Sequence, residues 1–422
     1  MKKVLLGIFS LIAIFLVLSA CSGDNENASS DDNQDTDVTE TDNGEVKNIE
    51  LWYYWENPGH QKSLGGMIDE YNESQDEVVV EATYIPFADF KKQLSVGAGA
   101  SELPDIVIHD SPDMASYASM GIYADVTEEV SEWEFYDQYF DGPLESAKLD
   151  DKLYGVPFGS NALGFYYNKK MLEEAGVEVP TTWEELEMAA EALTTDNVFG
   201  VAFSSVQNEE GTFNFMPWIW SAGGDAYDMN SEAGVKSLNY VSGLVDQGLM
   251  PKEVINWTQG DVLNQFMSGN VAMMVNGPWQ IPTLESSDLD FEWDVTFIPK
   301  DKEFASVLGG ENFGIIDGEN VDASLDFVKF MAENTEEYIN DFGYIASRAD
   351  IAATQFDGGD VNPTYKKFAE IMDVAKPRGP HPRWPEISNA ISLSFNEAIT
   401  GISTPEEAAE KAQTAIDDVL SE

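Results

Sequence analysis

Ten tryptophans give this sequence its strongest chemical signal, because several of them stand where strands are expected to end. These are Trp55, Trp218, Trp220, Trp279 and Trp384. In open α/β sheets, ligands bind outside the carboxyl ends of the strands. A flat aromatic ring can stack on the apolar C–H face of a sugar ring, while nearby carboxylates and amides bind its hydroxyls. The tryptophans therefore predict a site for a carbohydrate-like ligand, although any single one could instead belong to the core.

Motifs for covalent, metal or nucleotide chemistry are missing from the sequence. The chain has no G-x-S-x-G, H-E-x-x-H or G-x-x-x-x-G-K-[ST] segment, and Gly97-Ala98-Gly99 lacks the third glycine of a dinucleotide fingerprint. Three histidines and one cysteine argue against a structural zinc site. Among 77 acidic residues, no pair for glycosidic acid–base catalysis can be singled out. We therefore expect no metal, no cofactor and no catalytic residues.

The charge of the chain excludes some partners. Its 422 residues include 77 acidic and 22 basic ones, for a formal net charge of −55. Nucleic acid is therefore not expected as a partner, because phosphate binding needs clustered lysine and arginine. Hydrophobic residues make up 43% of the chain, which nevertheless indicates a folded protein. Acid-rich surfaces suit salty or alkaline surroundings, so we expect a halophilic or alkaliphilic source, with an ordinary acidic secreted protein as the alternative.

The start of the chain predicts a membrane anchor rather than a folded domain. Two lysines precede an almost wholly apolar run over residues 4–18, and Leu18-Ser19-Ala20-Cys21 resembles the cleavage site of a bacterial lipoprotein signal. The resemblance implies that residues 1–20 are a signal peptide and that Cys21 becomes a lipid-carrying N-terminus; a retained transmembrane anchor is the alternative. Residues 21–46 contain nine acidic residues and no basic one, which predicts a disordered, extended linker.

From residue 47 onward, the sequence alternates between predicted strands and helices. Apolar and aromatic runs predict strands at residues 49–55, 78–85, 106–109, 153–157, 164–168 and 271–275. Capping boxes at Thr182 with Glu185 and at Thr404 with Glu407 predict two helix starts. The second of these helices is expected to bury Ala409, Ala412, Ile416 and Val419. This alternation predicts an α/β fold with mainly parallel sheets, and the length predicts two lobes.

A series of short motifs follows the same chain. In order, they are Leu103-Pro104-Asp105-Ile106-Val107, Ala124-Asp125-Val126, Tyr154-Gly155-Val156-Pro157, Ala162-Leu163-Gly164-Phe165-Tyr166-Tyr167-Asn168-Lys169, Pro180-Thr181-Thr182-Trp183-Glu184-Glu185-Leu186, Ser221-Ala222-Gly223-Gly224, Phe266-Met267-Ser268-Gly269 and Pro385-Glu386-Ile387. Their number, order and spacing resemble the extracellular solute-binding proteins (family 1) of carbohydrate-uptake ABC transporters, the family that includes maltose-binding protein. The resemblance runs from about Lys47 to the C-terminus.

The resemblance implies the two-lobed fold of the periplasmic binding proteins, in which crossing hinge strands join two α/β lobes around a ligand cleft. The crossings would fall near Ser160, Lys302 and Tyr344. Two segments would make up each lobe: residues 47–159 and 303–343 for the N-terminal lobe, and residues 160–302 and 344–422 for the C-terminal lobe. Closure of such lobes around a ligand is a hinge motion.

The resemblance also implies a set of ligand-binding residues. They are Trp55, Glu56, His109, Asp110, Asn161, Trp279, Glu311, Arg383 and Trp384. Trp279 would be the main stacking platform, with Trp55 and Trp384 as further aromatic faces. The acids and Asn161 would bind hydroxyls, and Arg383 would donate to a ring or hydroxyl oxygen. His109 and Asp110 could instead be structural loop residues, and Arg378 is expected to pair with acids of the surface.

The implied function is that of a receptor rather than an enzyme. A lipid-anchored protein on the extracytoplasmic face of a bacterial membrane would bind a mono- or oligosaccharide and deliver it to an ABC transporter permease. We expect the receptor to be a monomer. One alternative is a secreted glycoside hydrolase, which would also place tryptophans and carboxylates in a cleft. Another is a binding protein for an anionic solute such as a glycerol phosphodiester, based on Arg378 and Arg383.

Overall fold

The computed structural model describes residues 46–100, 102–357 and 362–421. The predicted signal peptide, the lipidation site Cys21 and nearly all of the predicted linker lie outside these described residues. Across the described ranges, we find no helix that combines the length and the apolar character needed to cross a bilayer.

The strands and helices have the following bounds. The strands are β1 (Lys47–Tyr53), β2 (Val78–Tyr84), β3 (Ile106–Asp110), β4 (Lys148–Leu149), β5 (Lys152–Leu153), β6 (Gly155–Ala162), β7 (Gly164–Asn168), β8 (Phe199–Ala202), β9 (Val271–Asn276), β10 (Trp293–Thr296), β11 (Ser306–Ile315) and β12 (Ala375–Pro377). The helices are α1 (Pro58–Ser74), α2 (Phe87–Ala100), α3 (Met114–Ser119), α4 (Thr127–Ser131), α5 (Asp141–Ser146), α6 (Lys169–Ala175), α7 (Trp183–Leu193), α8 (Glu209–Ser221), α9 (Glu232–Asp246), α10 (Gln259–Met267), α11 (Ile281–Ser286), α12 (Val321–Glu333), α13 (Thr335–Tyr338), α14 (Ala349–Ala352), α15 (Pro363–Met372), α16 (Trp384–Thr400) and α17 (Pro405–Ser421). Short 3₁₀ helices lie at Ser111–Asp113, Tyr136–Gln138, Lys252–Asn256 and Pro278–Gln280.

Two mixed sheets form the framework of the described chain. The larger has the strand order β12-β11-β3-β1-β2, with β6 also paired to β11, and the smaller has the order β10-β7-β9-β8. Strand β1 pairs in parallel with β2 and β3, whereas β11 is antiparallel to β3 and β6, and β7 is antiparallel to β9 and β10. The prediction of mainly parallel sheets is therefore wrong, because β11 brings the chain back through the larger sheet in the opposite direction.

Two separate hydrophobic cores define two lobes. The first core surrounds the β1 and β3 strands and includes Leu51, Ile108 and Phe327; we call the part of the chain packed on it the first lobe. The second core includes Phe165 and Trp218 and underlies the smaller sheet; we call its surroundings the second lobe. Each lobe therefore has its own sheet, its own helices and its own buried interior.

Over the residues that the structure describes, the chain passes between the two cores at three places. The first passage lies within β6, between Phe158 and Ala162, and the second lies within β11, between Val307 and Phe313. At the third, Tyr344 packs in the first core and Ile345 in the second, Ile351 lies in the first core again, and Phe356 packs against the second. Ser160 lies inside the first passage, Tyr344 lies at the start of the third, and Lys302 lies a few residues before the second. Because β6 and β11 pair with each other, the two lobes are joined by neighbouring strands of one sheet.

Local sequence patterns explain many of the element boundaries. The capping box at Thr182 is confirmed, since its hydroxyl accepts a hydrogen bond from the backbone of Glu185 and the Glu185 carboxylate reaches back to the Thr182 backbone. Helix α17 begins at Pro405, directly after Thr404. All four predicted apolar positions of this helix are buried: Ala409, Ala412, Ile416 and Val419.

Candidate functional site

A cavity of about 470 Å³ lies between the two lobes. Its lining comes from the segment after β1, the end of β3, the crossing strands, the start of α8, the turn after β9 and the segment after β12. The lining residues important for its chemistry are Tyr54, Trp55, Glu56, Asp110, Asn161, Glu209, Glu210, Phe213, Trp279, Gly309, Glu311, Tyr344 and Arg378. The cavity is thus built from both lobes and from the strands that connect them.

Parallel pairing explains why distant segments of the first lobe meet at this cavity. Leu51 of β1 lies opposite Ile106 of β3 in a parallel register. The carboxyl ends of these strands therefore reach the same edge of the sheet, and they bring Trp55 and Asp110 to one wall of the cavity.

Glu311 of β11 is the centre of a buried polar cluster in the cavity wall. The hydroxyls of Tyr54 and Tyr344 each donate a hydrogen bond of 2.8 Å to its Oε1 atom. Burial, followed by the negative charge of Asp110, raises the pKa of Glu311 to about 8, although the two tyrosine hydrogen bonds oppose this shift. Within the described chain, Glu311 Oε2 and Trp55 Nε1 make no hydrogen bond of normal geometry.

A capped helix start places two further carboxylates at the cavity. The Asn208 side chain accepts hydrogen bonds from the backbone of Glu210 and Gly211, which fixes the first turn of α8. Glu209 and Glu210 lie in that turn and line the cavity. The Glu210 carboxylate accepts a hydrogen bond from the backbone of Gln259, and burial raises the pKa of Glu210 to about 7.

Trp279 provides an aromatic surface where the lobes meet. Its half-buried side chain packs against both cores, and its ring centroid lies 6.1 Å from that of Phe213. The ring lies directly over Gly277, because a β-carbon at that position would be 2.0 Å from it. The Tyr166 hydroxyl donates a 2.7 Å hydrogen bond to the Gly277 carbonyl and holds this turn. The indole is therefore fixed in place beside the cavity.

Arg378 lies buried between carboxylates of both lobes. Its guanidinium donates to Asp110 at 3.0 and 3.2 Å, donates to Glu209, and lies 4.3 Å from the ring centroid of Phe213. Burial acts to lower the pKa of Arg378, but Asp110 and Glu209 outweigh burial and raise it. Trp384 Nε1 donates to both Glu209 oxygens at 3.0 and 3.1 Å. The arginine is thus held as a cation by acids of the chain itself.

Six of the nine residues implied by the sequence line this cavity: Trp55, Glu56, Asp110, Asn161, Trp279 and Glu311. Asn161 lies against Gly309, where a β-carbon would be 2.3 Å from the Asn161 Oδ1 atom. Only glycine at position 309 leaves room for that amide in its observed place. The ligand contacts of these six residues remain predictions.

His109, expected from the sequence to bind the ligand, does not line the cavity and packs in the first core instead. Its ring stacks on Tyr123 at 5.6 Å between centroids, and its Nδ1 atom is 2.9 Å from the Asp110 carbonyl oxygen. Burial lowers the pKa of His109 to about 4. Successive side chains of a strand point to opposite faces, so His109 enters the core when Asp110 faces the cavity.

Trp384 and Arg383 also do not line the cavity. Trp384 is 0% exposed inside the second core, where it acts on the cavity only through its hydrogen bonds to Glu209. Arg383 binds the Glu386 carboxylate at 2.6 Å on the surface. The expected roles of the two arginines are therefore exchanged, since Arg378 lies in the cavity wall and Arg383 pairs at the surface.

Sequence reasoning missed Glu209, Glu210 and Phe213, and it assigned Arg378 to the surface. The segment from Asn208 to Glu210 has the pattern of an ordinary helix cap with acids in the first turn, so it gave no separate signal for a site. Trp218 and Trp220, which the sequence grouped with the possible stacking tryptophans, lie farther along α8 in the second core and do not line the cavity.

Comparison with known proteins gives a consistent result. A family model described as "Bacterial extracellular solute-binding protein" matches residues 66–370. A putative binding protein of Brucella abortus (strain 2308) is 23% identical over 365 residues, which cover 80% of this chain and 84% of the relative. The "Multiple sugar-binding protein" of Streptococcus mutans serotype c is 22% identical over 308 residues, which cover 69% of this chain and 68% of the relative.

A solved structure is similar over nearly the whole described chain. It is an ABC transporter solute-binding protein from Thermotoga lettingae bound with alpha-D-tagatose, and it is 24% identical with a TM-score of 0.81. The match covers 88% of this chain and 100% of that one. This likeness confirms the two-lobed α/β fold predicted from the sequence.

Proposed function

The chain belongs to the bacterial extracellular solute-binding proteins, and from this membership we propose that it binds a mono- or oligosaccharide between its lobes and delivers it to an ABC transporter permease. Members of this family bind solutes and are not enzymes. The carboxylates of the cavity are therefore binding groups, and no catalytic residue is assigned.

Buried polar atoms in the cavity wall that make no hydrogen bond of normal geometry carry the proposal of a sugar ligand. Asn161 Oδ1 is an acceptor, Trp55 Nε1 and Arg378 Nε are donors, and the protonated Glu311 carboxyl can do both through Oε2. Trp55 lies near enough to Glu311 to act against the rise in its pKa, but among the described residues none of the four atoms has a partner at normal hydrogen-bond geometry. All four residues are buried and line the cavity. An unsatisfied buried polar group costs about 1–3 kcal/mol. Hydroxyl groups both donate and accept, so a neutral polyol satisfies both kinds of atom.

Aromatic side chains supply the second part of a sugar site. Trp55, Phe213 and Trp279 line the same cavity as the four polar atoms. Stacking on such rings favours the apolar faces of sugar rings, while the polar atoms select the orientation of the hydroxyls. The related proteins named for sugars, and the tagatose-bound structure, agree with this combination.

An anionic solute fits the cavity poorly. Arg378 is occupied by Asp110 and Glu209, and Arg383 binds Glu386 at the surface. Glu56 also lines the cavity and would repel a phosphate or carboxylate. We therefore propose a neutral ligand.

A thermal-shift screen with the purified protein tests this proposal. The panel contains monosaccharides, linear and cyclic oligosaccharides, and a glycerol phosphodiester. At least one neutral sugar should raise the melting temperature in a concentration-dependent way and be recovered unchanged, because a ligand that binds only the folded state stabilises it. Stabilisation by the phosphodiester alone, or conversion of the sugar into a product, would contradict the proposal.

We further propose that Cys21 carries the lipid that anchors the protein to the outside of the bacterial membrane. The lipoprotein-like sequence that ends at Cys21 and the extracellular family support this. Replacing Cys21 with Ala should release the protein from the membrane fraction or leave its signal uncleaved. A Cys21→Ala variant that is processed and still pellets with membranes would count against the lipid.

We also propose that the protein is a monomer. Light scattering of the delipidated protein tests this directly, and the mass of a dimer would refute it.

A further inference from the structure

The ion pairs around Arg378 cross from one lobe to the other. Arg378 belongs to the second lobe, since its guanidinium rests on Phe213 and pairs with Glu209, both of α8. Its bidentate partner, Asp110, ends β3 of the first lobe. Glu209 in turn lies 4.0 Å from Lys91 of α2, again in the first lobe. Two charged contacts therefore join the lobes at the cavity.

Each side of this network keeps an ion pair when the crossing contacts are broken. On the first lobe, Lys91 Nζ remains 2.8 Å from Asp113. On the second, Arg378 remains paired with Glu209, whose oxygens also accept hydrogen bonds from Trp384. A buried charge without a partner is strongly destabilising. Because Lys91 and Arg378 each keep an acidic partner on their own lobe, the contacts between the lobes can break without leaving either of these charges unpaired. Asp110, which lines the cavity, regains water when the lobes separate.

From these contacts we propose that Arg378 and Asp110 form a reversible latch that stabilises the closed arrangement of the lobes. Phe213 and Glu209 position the guanidinium, and closure brings Asp110 onto it. The bidentate geometry matters because an Arg–carboxylate pair of this kind is directional as well as charged. The latch goes beyond the proposed sugar binding, since it acts on the lobes whether or not a ligand is present.

The latch has a consequence for ligand affinity. If only the closed arrangement makes all ligand contacts, the apparent affinity is reduced by the fraction of molecules that are closed. Arg378 then acts as a positioning residue, which tunes affinity through the closed fraction in addition to any ligand contact of its Nε atom.

Distances between spin labels on the two lobes test the latch without any ligand. Met120 of the first lobe is 54% exposed and Met188 of the second is 56% exposed, so Met120→Cys and Met188→Cys provide labelling sites. Cys21, the sole cysteine, is replaced by Ser in the full chain. In this background, Asp110→Asn removes the charge while keeping the shape, and Arg378→Lys keeps the charge while losing the bidentate fork.

Asp350→Asn is the matched control. Arg348 donates to Asp350 at 3.1 and 2.5 Å, so this variant removes a similar Arg–Asp pair that lies wholly within the first lobe. A second label pair, Met188→Cys with Ile402→Cys, measures a distance inside the second lobe, where Ile402 is 74% exposed.

The expected result is a fall of about tenfold or more in the closed-to-open ratio for Asp110→Asn and Arg378→Lys, since truncating a buried charge pair costs at least about that factor. The Asp350→Asn variant and the distance inside the second lobe should match the parent. The latch is refuted if Asp110→Asn leaves the distances between the lobes unchanged, or if Asp350→Asn shifts them equally. Neither result depends on which solute the protein binds, so failure of the latch is distinguishable from failure of the proposed sugar function.

Discussion

Trp279 is the single side chain on which the proposed ligand site depends most. It is half-buried, held over Gly277, and set between the two cores beside the cavity. Truncating such an aromatic anchor costs about 2 kcal/mol or more in binding. We expect Trp279→Ala to weaken binding of the stabilising sugar by at least about 30-fold in calorimetry, which is the equivalent of that energy. Trp293→Ala, which removes a half-buried indole of β10 outside the cavity, should leave the affinity near that of the parent. Equal affinity of the Trp279→Ala variant and the parent would contradict the assignment.

Glu311 makes a prediction about pH. Its pKa is raised to about 8 in the folded protein by burial and by Asp110, from an ordinary value of 4.5. The folded state therefore holds a proton that the unfolded chain has lost between pH 4.5 and 8, so this residue's contribution to stability falls as pH rises through that range. The glutamine of Glu311→Gln has no proton to lose, so the variant escapes this loss of stability. The difference in melting temperature, variant minus parent, should therefore increase from pH 5 to pH 9. A difference that stays constant across this range would show that Glu311 does not titrate in this way.

Residue types predicted part of the site, but the sequence did not show which other residues each side chain would contact. Trp55, Asp110 and Trp279 were identifiable because each lies at or just after the end of a strand that reaches the cleft. His109 was misplaced because the exact end of β3 decides which of two neighbours faces the core. Arg378 was misjudged because its partners, Glu209 and Asp110, lie 169 and 268 positions earlier, and no local pattern links them.

At the scale of elements, β11 is the strand that organises the cleft. It pairs with β3, β6 and β12, and its register with β6 shifts between Glu311 and Asn312. Gly310 adopts φ +144°, a conformation that favours glycine, and a β-carbon there would lie 2.2 Å from the Gly159 carbonyl. The resemblance seen in the sequence implied that Glu311 lies at the cleft. It did not give the direction of β11, because antiparallel pairing with β3 and β6 is decided by how the lobes connect and leaves no local signature.

Gly343 gives a prediction about the contact between two elements. It adopts φ +69°, and a β-carbon there would lie 2.4 Å from the Pro278 carbonyl, in the turn that holds Trp279. Gly176 adopts φ +65° but has nothing within 4 Å of such a β-carbon. Both Gly→Ala variants should lose about 1–2 kcal/mol from the left-handed backbone, as measured by denaturant unfolding. Gly343→Ala should lose more and should also weaken sugar binding, whereas equal losses at the two sites would show that this packing contact carries no weight.

At the scale of the whole molecule, two cores joined by neighbouring strands give a protein that can bend without unfolding. The interior of each lobe is complete by itself, so a change in the angle between the lobes exposes the cavity wall rather than core residues. The proposed ligand and the proposed latch then act on the same equilibrium between open and closed arrangements of the lobes. The ligand acts through the polar atoms of the cavity wall, and the latch acts through Arg378 and Asp110. We therefore expect ligand binding to act as a shift between two arrangements of the lobes.

The net charge of −55 leads to a prediction about salt. With 77 acidic and 22 basic residues, most carboxylates have no basic residue to pair with, and their mutual repulsion acts against the compact state. The screening length falls from about 10 Å at 0.1 M to about 3 Å at 1 M ionic strength, so added salt weakens this repulsion. We expect the melting temperature to rise between dilute buffer and 1 M NaCl, with most of the gain below a few tenths molar. The buried pair of Arg378 with Asp110 is screened far less than surface charges, so the closed-to-open ratio should change little over the same range. A melting temperature that does not rise with NaCl would contradict the halophilic interpretation of this composition.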